Sequence, residues 1–422
     1  MQQLKKIGAI GGAISLVLCW PLAVGQIGQN VIRDGVEHLN TPAVTAEVVS
    51  YDRGYLSSEV QTRYVVTDPE LAYQLELDGL PSEYIVNSHV THGLFNVSAK
   101  SVLENVSDFP LQLDTVTQLN GNTNYTLTLD TWNTAINGSD GAMVSVSASE
   151  LKGYVTVLGE MTYELTMPSV EVDFVSGEKL LVSGVTGSGD GRMQNGFWLG
   201  EQEMSIADTS VVETSQQPIL TMKNARYAFS SALEEVSKRV NSQHVVTIDN
   251  VVMPQGEADN LTVDFELGDL DADSFEYLVN MYQDNPQLTQ ADIESALPYI
   301  DTLFSKGFYL AMNKMSLTFG GKGEFESKWK LQIPEGTDNI TQSPDSIMTV
   351  MTGNLETFFS DGLVELYPFI EQEVDSAMDA GFVQKIEKGY EVKAELKDGS
   401  LVFPNGQQIP LLALLLPAMM HQ

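Results

Sequence analysis

His89 and His92 are the residues whose types most invite metal chemistry. Residues 85–97 read as a strand, and a separation of three puts the two rings on opposite faces. One ion cannot then use both. The chain holds five histidines and a single cysteine, Cys19, whereas a zinc site gathers three or four such ligands. The reading is no metal and no cofactor. Asp269, Asp271 and Asp273 resemble the start of a calcium loop, but Ser274 and Asn280 stand where an EF-hand needs glycine and glutamate. Asp273 reads instead as a helix cap, with Glu276 reaching back. Gly187-Ser188-Gly189-Asp190-Gly191 lacks the third-glycine spacing of a dinucleotide loop and the lysine of a phosphate loop. It reads as a flexible turn. His244 has no triad context, and no nucleophile-elbow serine is present. Among 57 acidic residues paired carboxylates arise by chance, so a glycosidase reading needs a measured separation. The expectation is a non-enzymatic protein with no catalytic residues.

The elements that must position these groups are mostly strands. Tyr125, Leu127 and Leu129 alternate with Thr126, Thr128 and Asp130. Met161, Tyr163, Leu165 and Met167 alternate with Thr162, Glu164 and Thr166. Period two places one set on a buried face and the other in water. Gly and Asn clusters at 120–122, 137–141 and 187–191 separate such runs as hairpin turns. Past Tyr227 the pattern changes. Residues 228–241 read as an amphipathic helix through Phe229, Leu233, Val236 and Val240. Strands return at 245–252 and 261–267. Thr289 caps a helix carrying Ile293, Leu297, Ile300, Phe304 and Phe308, with Pro298 as a kink or break. Strands follow at 315–319 and 325–333. Residues 347–380 read as helical, interrupted near Gly353 and at 362–368, with Gly381 as the stop. Asp398-Gly399 marks a tight hairpin. The fold class is α+β: an N-terminal signal-anchor helix, a large antiparallel β-rich region and a mixed helical/β C-terminal half. The expected divisions are 1–25, 26–220 and 221–422.

The first 25 residues speak to location. Lys5 and Lys6 precede an uncharged apolar run at 7–24, and no acidic residue occurs before Asp34. Such a run, about 18 residues, is at the lower limit for spanning a bilayer. Lysines on the cytoplasmic side leave the remaining chain exported. The expected location is the bacterial inner membrane, with a single N-terminal anchor and the bulk of the chain periplasmic. Small residues at 23–25 offer cleavage after Gly25 as the competing outcome. Residues 26–32 can continue the helix without a break. Cys19 reads as a thiol buried in the apolar segment, since Leu18 is too large for a lipidation site. The net charge of −35 disfavours nucleic acid, which needs concentrated positive charge. It reads first as solubility, or adaptation to a salty medium. The Leu-rich tail at 411–416 is too short to span a membrane. It reads as docking on the protein's own core or as a membrane-touching end.

Four pieces in order resemble the YdgA-like family of bacterial cell-envelope proteins, whose function is unassigned. They are the basic start and apolar helix leading to Tyr51-Asp52-Arg53-Gly54-Tyr55-Leu56-Ser57-Ser58; His92-Gly93, with Leu94 where the family usually has proline; Leu267-Gly268-Asp269-Leu270-Asp271; and the closing segment 381–401. The resemblance implies an inner-membrane, periplasm-facing protein and supplies no catalytic residues. Tyr51, Arg53, Gly54, Tyr55, His92 and Gly93 are therefore the candidate interaction or structural motif. Gly54 reads as a bend, Arg53 as pairing with an acidic neighbour, and Tyr51 and Tyr55 as sharing a strand face. The leading expectation is a tethered protein presenting an extended β surface to lipid or an envelope protein. The alternatives are an assembly factor acting through protein contacts, with a homodimer as one form, and a carboxylate-dependent hydrolase of envelope polymers.

Overall fold

The alternation read from the sequence is the organising feature of the structure. The computed structural model describes residues 24–413, apart from 31, 38, 42, 78–80, 107–108, 137–140, 195–196, 216 and 285–287. Strand accounts for 58% and helix for 20%, so the chain is β-rich in both halves. The apolar run at 7–24 and Cys19 lie outside the described residues except for Val24, as do tail residues 414–416. No helix among the described residues is long and apolar enough to cross a membrane.

The chain divides into two compact units. The first holds residues up to Asp190 together with 213–216, and the second the remainder. In the first, β1 (Val44–Arg53), β2 (Ser57–Val66), β3 (Glu83–His92), β4 (Asn96–Leu103), β5 (Leu111–Gln118) and β6 (Thr123–Leu129) form an antiparallel meander. A hairpin of β7 (Trp132–Ile136) and β8 (Ala142–Val146) follows. Then β9 (Ser149–Val155) returns to pair with β6, and β10 (Glu160–Phe174) pairs first with β9 and then with β8.

Registers stack the apolar alternates on one face. Val86 sits opposite Leu103, Leu113 opposite Leu127 and Leu127 opposite Leu151. The other face carries Glu59, Arg63, Lys100, Asp114, Lys152 and Glu164. There Arg63 bridges Glu47 and Glu83, and Lys152 bridges Glu164.

The segment 187–191 is no turn. It runs inside β11 (Lys179–Gln194). Gly189 and Gly191 are needed because a ring and a backbone carbonyl lie close against them. A Cβ on Gly189 would stand 2.3 Å from Cε1 of Tyr163, and one on Gly191 would stand 2.2 Å from the Leu199 carbonyl. Gly189→Val is expected to push Tyr163 off the sheet and cost about 1–3 kcal/mol, read as a lower thermal midpoint. An unchanged midpoint would show that Tyr163 has room to move.

The second unit begins its ladder with β12 (Phe197–Val212), β13 (Pro218–Glu234), β14 (Arg239–Met253), β15 (Gly256–Asp271), β16 (Phe308–Phe319), β17 (Gly323–Ile333) and β18 (Thr352–Ser360). All pairs are antiparallel. Beyond β18, β20 (Gly389–Lys397) pairs with β18, with the short β19 (Gln384–Ile386) and with β21 (Ser400–Val402), and β21 with β22 (Gln408–Pro410).

Two expected helices are strands. Residues 228–241 form the end of β13, a turn and the start of β14. Residues 352–360 are β18, not the interior of a helix. Helices Ala272–Asp284 and Gln290–Lys306 follow β15. Thr289 caps the second in a capping box with Asp292, and that helix runs through Pro298 to Lys306, leaving Phe308 to begin β16. The first helix is capped by Asp271 rather than Asp273, since Asp271 Oδ2 accepts from Ser274 N (3.1 Å) and Ser274 Oγ (2.6 Å). Gly381 ends the helix Glu371–Asp379 region at φ 77°, and Asp398 (φ 51°) and Gly399 (φ 73°) make the expected hairpin.

Candidate functional site: an apolar groove beside the N-terminal helix

Residues 24–30 and 32–37 are helical. Val24, Gly28, Ile32 and Val36 recur every four residues, so they line one helix face. That face lies on the apolar side of the sheet in the first unit. Val24, wholly buried, packs with Val60, Val90 and Val97, and Ile32, Val48, Tyr51 and Ala99 pack around them. Close approach depends on glycine. A Cβ on Gly25 would stand 2.5 Å from the His92 ring. Gln26, Asn30, Arg33, Asp34 and Glu37 point to water.

The helix covers only part of the face. Alongside it runs a groove of 320 Å³ whose floor includes Val60, Val86, Leu103, Leu111, Leu113 and Leu127, with Ile32 and Val36 as one wall. Among the described residues its lining has no charged side chain, and its serines Ser88 and Ser101 satisfy each other at 2.7 Å. A smaller gap of 60 Å³ lies beside Gly28, Val97, Leu119 and Gly121. The two share Ile32, Ala99 and Thr115 as lining, so they are neighbours along the helix. Farther across the face, Tyr125 and Tyr163 flank Gly153. Burial pushes both phenols above their ordinary pKa, as expected of a poorly hydrated surface. Such a groove is in the size range of small-molecule sites and suits an apolar ligand.

The motif read from the sequence assembles at one end of this helix. Arg53 Nη1 donates to Gln26 Oε1 rather than to an acidic partner. Gly54 N donates to the Ser57 carbonyl (2.8 Å) in the β1–β2 turn. Tyr51 is on β1, while Tyr55 lies in the turn beyond it, so they share no strand face. The Tyr51 hydroxyl is buried and takes no hydrogen bond among the described residues. His92 is buried, with Nε2 at 2.8 Å from Ser58 Oγ and Nδ1 at 3.4 Å from the Tyr55 carbonyl. Gly93 N donates to the Asn96 carbonyl (2.9 Å) in the next turn. These residues hold the root of the helix against the sheet. His89, on the opposite face as its spacing requires, meets Glu59 at 2.6 Å. The residues of the groove itself were not singled out by sequence, although the four-residue stripe 24/28/32/36 was there to be read.

A larger concavity of 550 Å³ in the second unit is lined by Asp273, Glu276, Asp292 and the stacked pair Tyr277–Tyr299. It is an open surface between two helices, and Asp292 is already engaged in capping. The strands of the second unit also have an apolar face. Phe229, His244, Phe265 and Trp329 stand in register across β13, β14, β15 and β17, with successive ring centroids 5.0, 6.4 and 6.3 Å apart. The Tyr227 hydroxyl lies 2.8 Å from His244 Nδ1, and burial lowers the His244 pKa. Among the described residues no group of three or more His, Cys, Asp or Glu is placed to hold a metal ion.

The chain is thus a β-rich protein built on one large antiparallel sheet, with a helix laid along the apolar face of its first strands. The chain belongs to a bacterial family of unknown function, DUF945, whose family model matches residues 4–412. That bears out the expectation of an uncharacterised bacterial family. No curated protein and no solved structure matches the chain significantly.

Proposed function

We propose that this is a non-enzymatic protein tethered to the bacterial inner membrane by its N-terminal apolar segment, with the bulk of the chain periplasmic. In this reading the apolar face of the sheet in its first unit binds lipid acyl chains. The observation that carries it is the uncharged groove beside the helix, walled by Ile32 and Val36 and floored by Leu111, Leu113 and Leu127. An apolar concavity in water is stabilised by an apolar occupant. The retained anchor, rather than cleavage after Gly25, is supported by Val24. Cleavage would remove this wholly buried member of the first core.

The test is mass spectrometry of the full chain purified from its own membrane in mild detergent, read intact and after solvent extraction. The expected result is a mass that retains residues 1–25 and a lipid enriched over the bulk membrane. Leu113→Ser combined with Leu127→Ser should lower lipid per chain by about tenfold, from lost apolar contact of roughly 1.4 kcal/mol or more. Val246→Ser, in the second unit, should leave it unchanged. Lipid at bulk composition in every sample would sink the reading.

One observation favours a second reading, assembly through protein contacts. The aromatic row of the second unit is only partly covered, and Tyr227, Met204 and Met315 on its strands are exposed. Sedimentation of the detergent-solubilised chain distinguishes it. A stoichiometric envelope partner or a homodimer lost on Tyr227→Ser with Phe229→Ser would support assembly, and a monomer in both samples would remove it.

A further inference from the structure

Turns normally carry polar residues, because they face water and their backbones need local hydrogen-bond partners. The turns at one end of the first unit depart from this. Leu56 lies in the β1–β2 turn, Leu94 and Phe95 in the β3–β4 turn, Leu119 after β5, and Val157 and Leu158 in the β9–β10 turn. All six are exposed, Phe95 at 71% and Leu158 at 80%.

Antiparallel pairing puts these turns at the same end of the sheet. Ser57 pairs with Thr91, Asn96 with Gln118 and Thr123 with Val155. They are also bound to one another. His92 N donates to the Leu56 carbonyl (2.8 Å), and Val157 N donates to Asn122 Oδ1 (3.2 Å). The tips of this rim are thus tied in two pairs, with the strand pairing of Asn96 and Gln118 between them. Exposed acids occur at both ends, Asp52 and Glu160 flanking the rim turns and Glu70, Glu104 and Asp130 at the opposite end, but exposed apolar tips are concentrated at the rim.

The N-terminal helix says what the rim faces. Its first residues lie at this end, with Gly25 against the His92 ring and Gln26 bonded to Arg53. Its later residues run toward the far end, where Asn40 holds the start of β1 through Ala46. The apolar run 7–24 thus joins the first unit at the rim. The small gap bordered by Leu119 and Gly121 lies beside the same turns and adjoins the groove at Ile32, Ala99 and Thr115.

We infer that this rim is a bilayer-contacting surface, seating the apolar tips among lipid head groups and acyl chains so that the gap beside the groove faces the membrane. The inference rests on the tether proposed above. Partial insertion of exposed Leu, Phe and Val side chains removes apolar area from water, and the anchor supplies the high local concentration that weak insertion needs. The acids at the opposite end are kept away from anionic lipid, which would repel them.

The test uses the full chain carrying Cys19→Ala in proteoliposomes of phosphatidylcholine and phosphatidylglycerol. A polarity-sensitive fluorophore is placed singly through Phe95→Cys, Leu158→Cys or, at the far end, Glu70→Cys. Lipids spin-labelled near the head group should quench the first two strongly, with a blue shift, and the third weakly. Retention of the protein after carbonate washing with all three labels equally water-exposed overturns the rim and leaves the tether standing. Release by carbonate overturns both.

Discussion

Replacing Asp271 with alanine is expected to lower the thermal midpoint of the second unit's unfolding by roughly 6–12 °C, from a loss of about 3 kcal/mol. Asp271 is 1% exposed. Its carboxylate accepts from Ser274 N and Oγ and from Lys306 Nζ. It therefore caps one helix and ties down the last turn of the next. Arg239 reinforces the joint by donating to the carbonyls of Asp269 (2.7 Å), Gly307 (3.0 Å) and Lys306. Around it Val240, Leu270 and Ala272 form the buried cluster against which Phe197, Phe275, Leu303 and Phe308 pack. Alanine leaves Ser274 unpaired in that cluster, while half-exposed Lys306 keeps its water. The cost is thus mainly of the carboxylate's hydrogen bonds, not of a stranded cation.

The same group sets an acid limb. Burial pushes the Asp271 carboxyl up, but the hydrogen bonds from Lys306 and Ser274 outweigh it and hold the pKa below its ordinary value. A carboxyl depressed on folding stabilises at pH above its unfolded value, near 3.9. That contribution fades as pH falls through the lower folded value. Acid titration of stability should therefore be flatter below about pH 4 in Asp271→Asn than in the parent. Equal slopes would show that the carboxylate does not hold this joint.

Val24→Asp is expected to cost about 3–5 kcal/mol, by losing valine burial and placing a carboxylate among Val60, Val90 and Val97. The helix would lift from the sheet in the first unit and take the groove's wall with it. Asn30→Asp, adding the same charge on the exposed face, should be nearly neutral. Limited proteolysis within residues 26–37 of the full chain reads the difference. Equal protection of the two variants would mean that the helix is held by something other than this core, and would remove the structural case against cleavage after Gly25.

The features legible from the order of residues alone were local. Alternation fixed the strands at 123–129 and 160–167 because side chains of a strand must take opposite faces. Thr289 with Asp292, Gly381 and Asp398-Gly399 fixed element ends because each satisfies or bends its own neighbouring backbone. The separation of His89 from His92 followed from the same period. It failed where spacing fits two periods. Phe229 and Leu233, like Leu355 and Phe359, are four apart, which suits a helix face and a strand face equally. Pairing with β12 and β14, and with β17 and β20, decided for strand. Val236, counted in the helical stripe, is instead 94% exposed in the turn.

Long-range contact decided the rest. The bulge between Val48 and Ser50 lets Val48 and Tyr51 meet the same core although they are three apart. Gly189 reads as a turn residue until Tyr163 is seen lying over it. The motif around Arg53 and His92 was visible, but its partner was not, because Gln26 is 27 residues from Arg53. The groove and rim are farther still from local rules. They exist because register brings five strands' apolar alternates to one face and four hairpin tips to one end, and register is a property of pairs of strands.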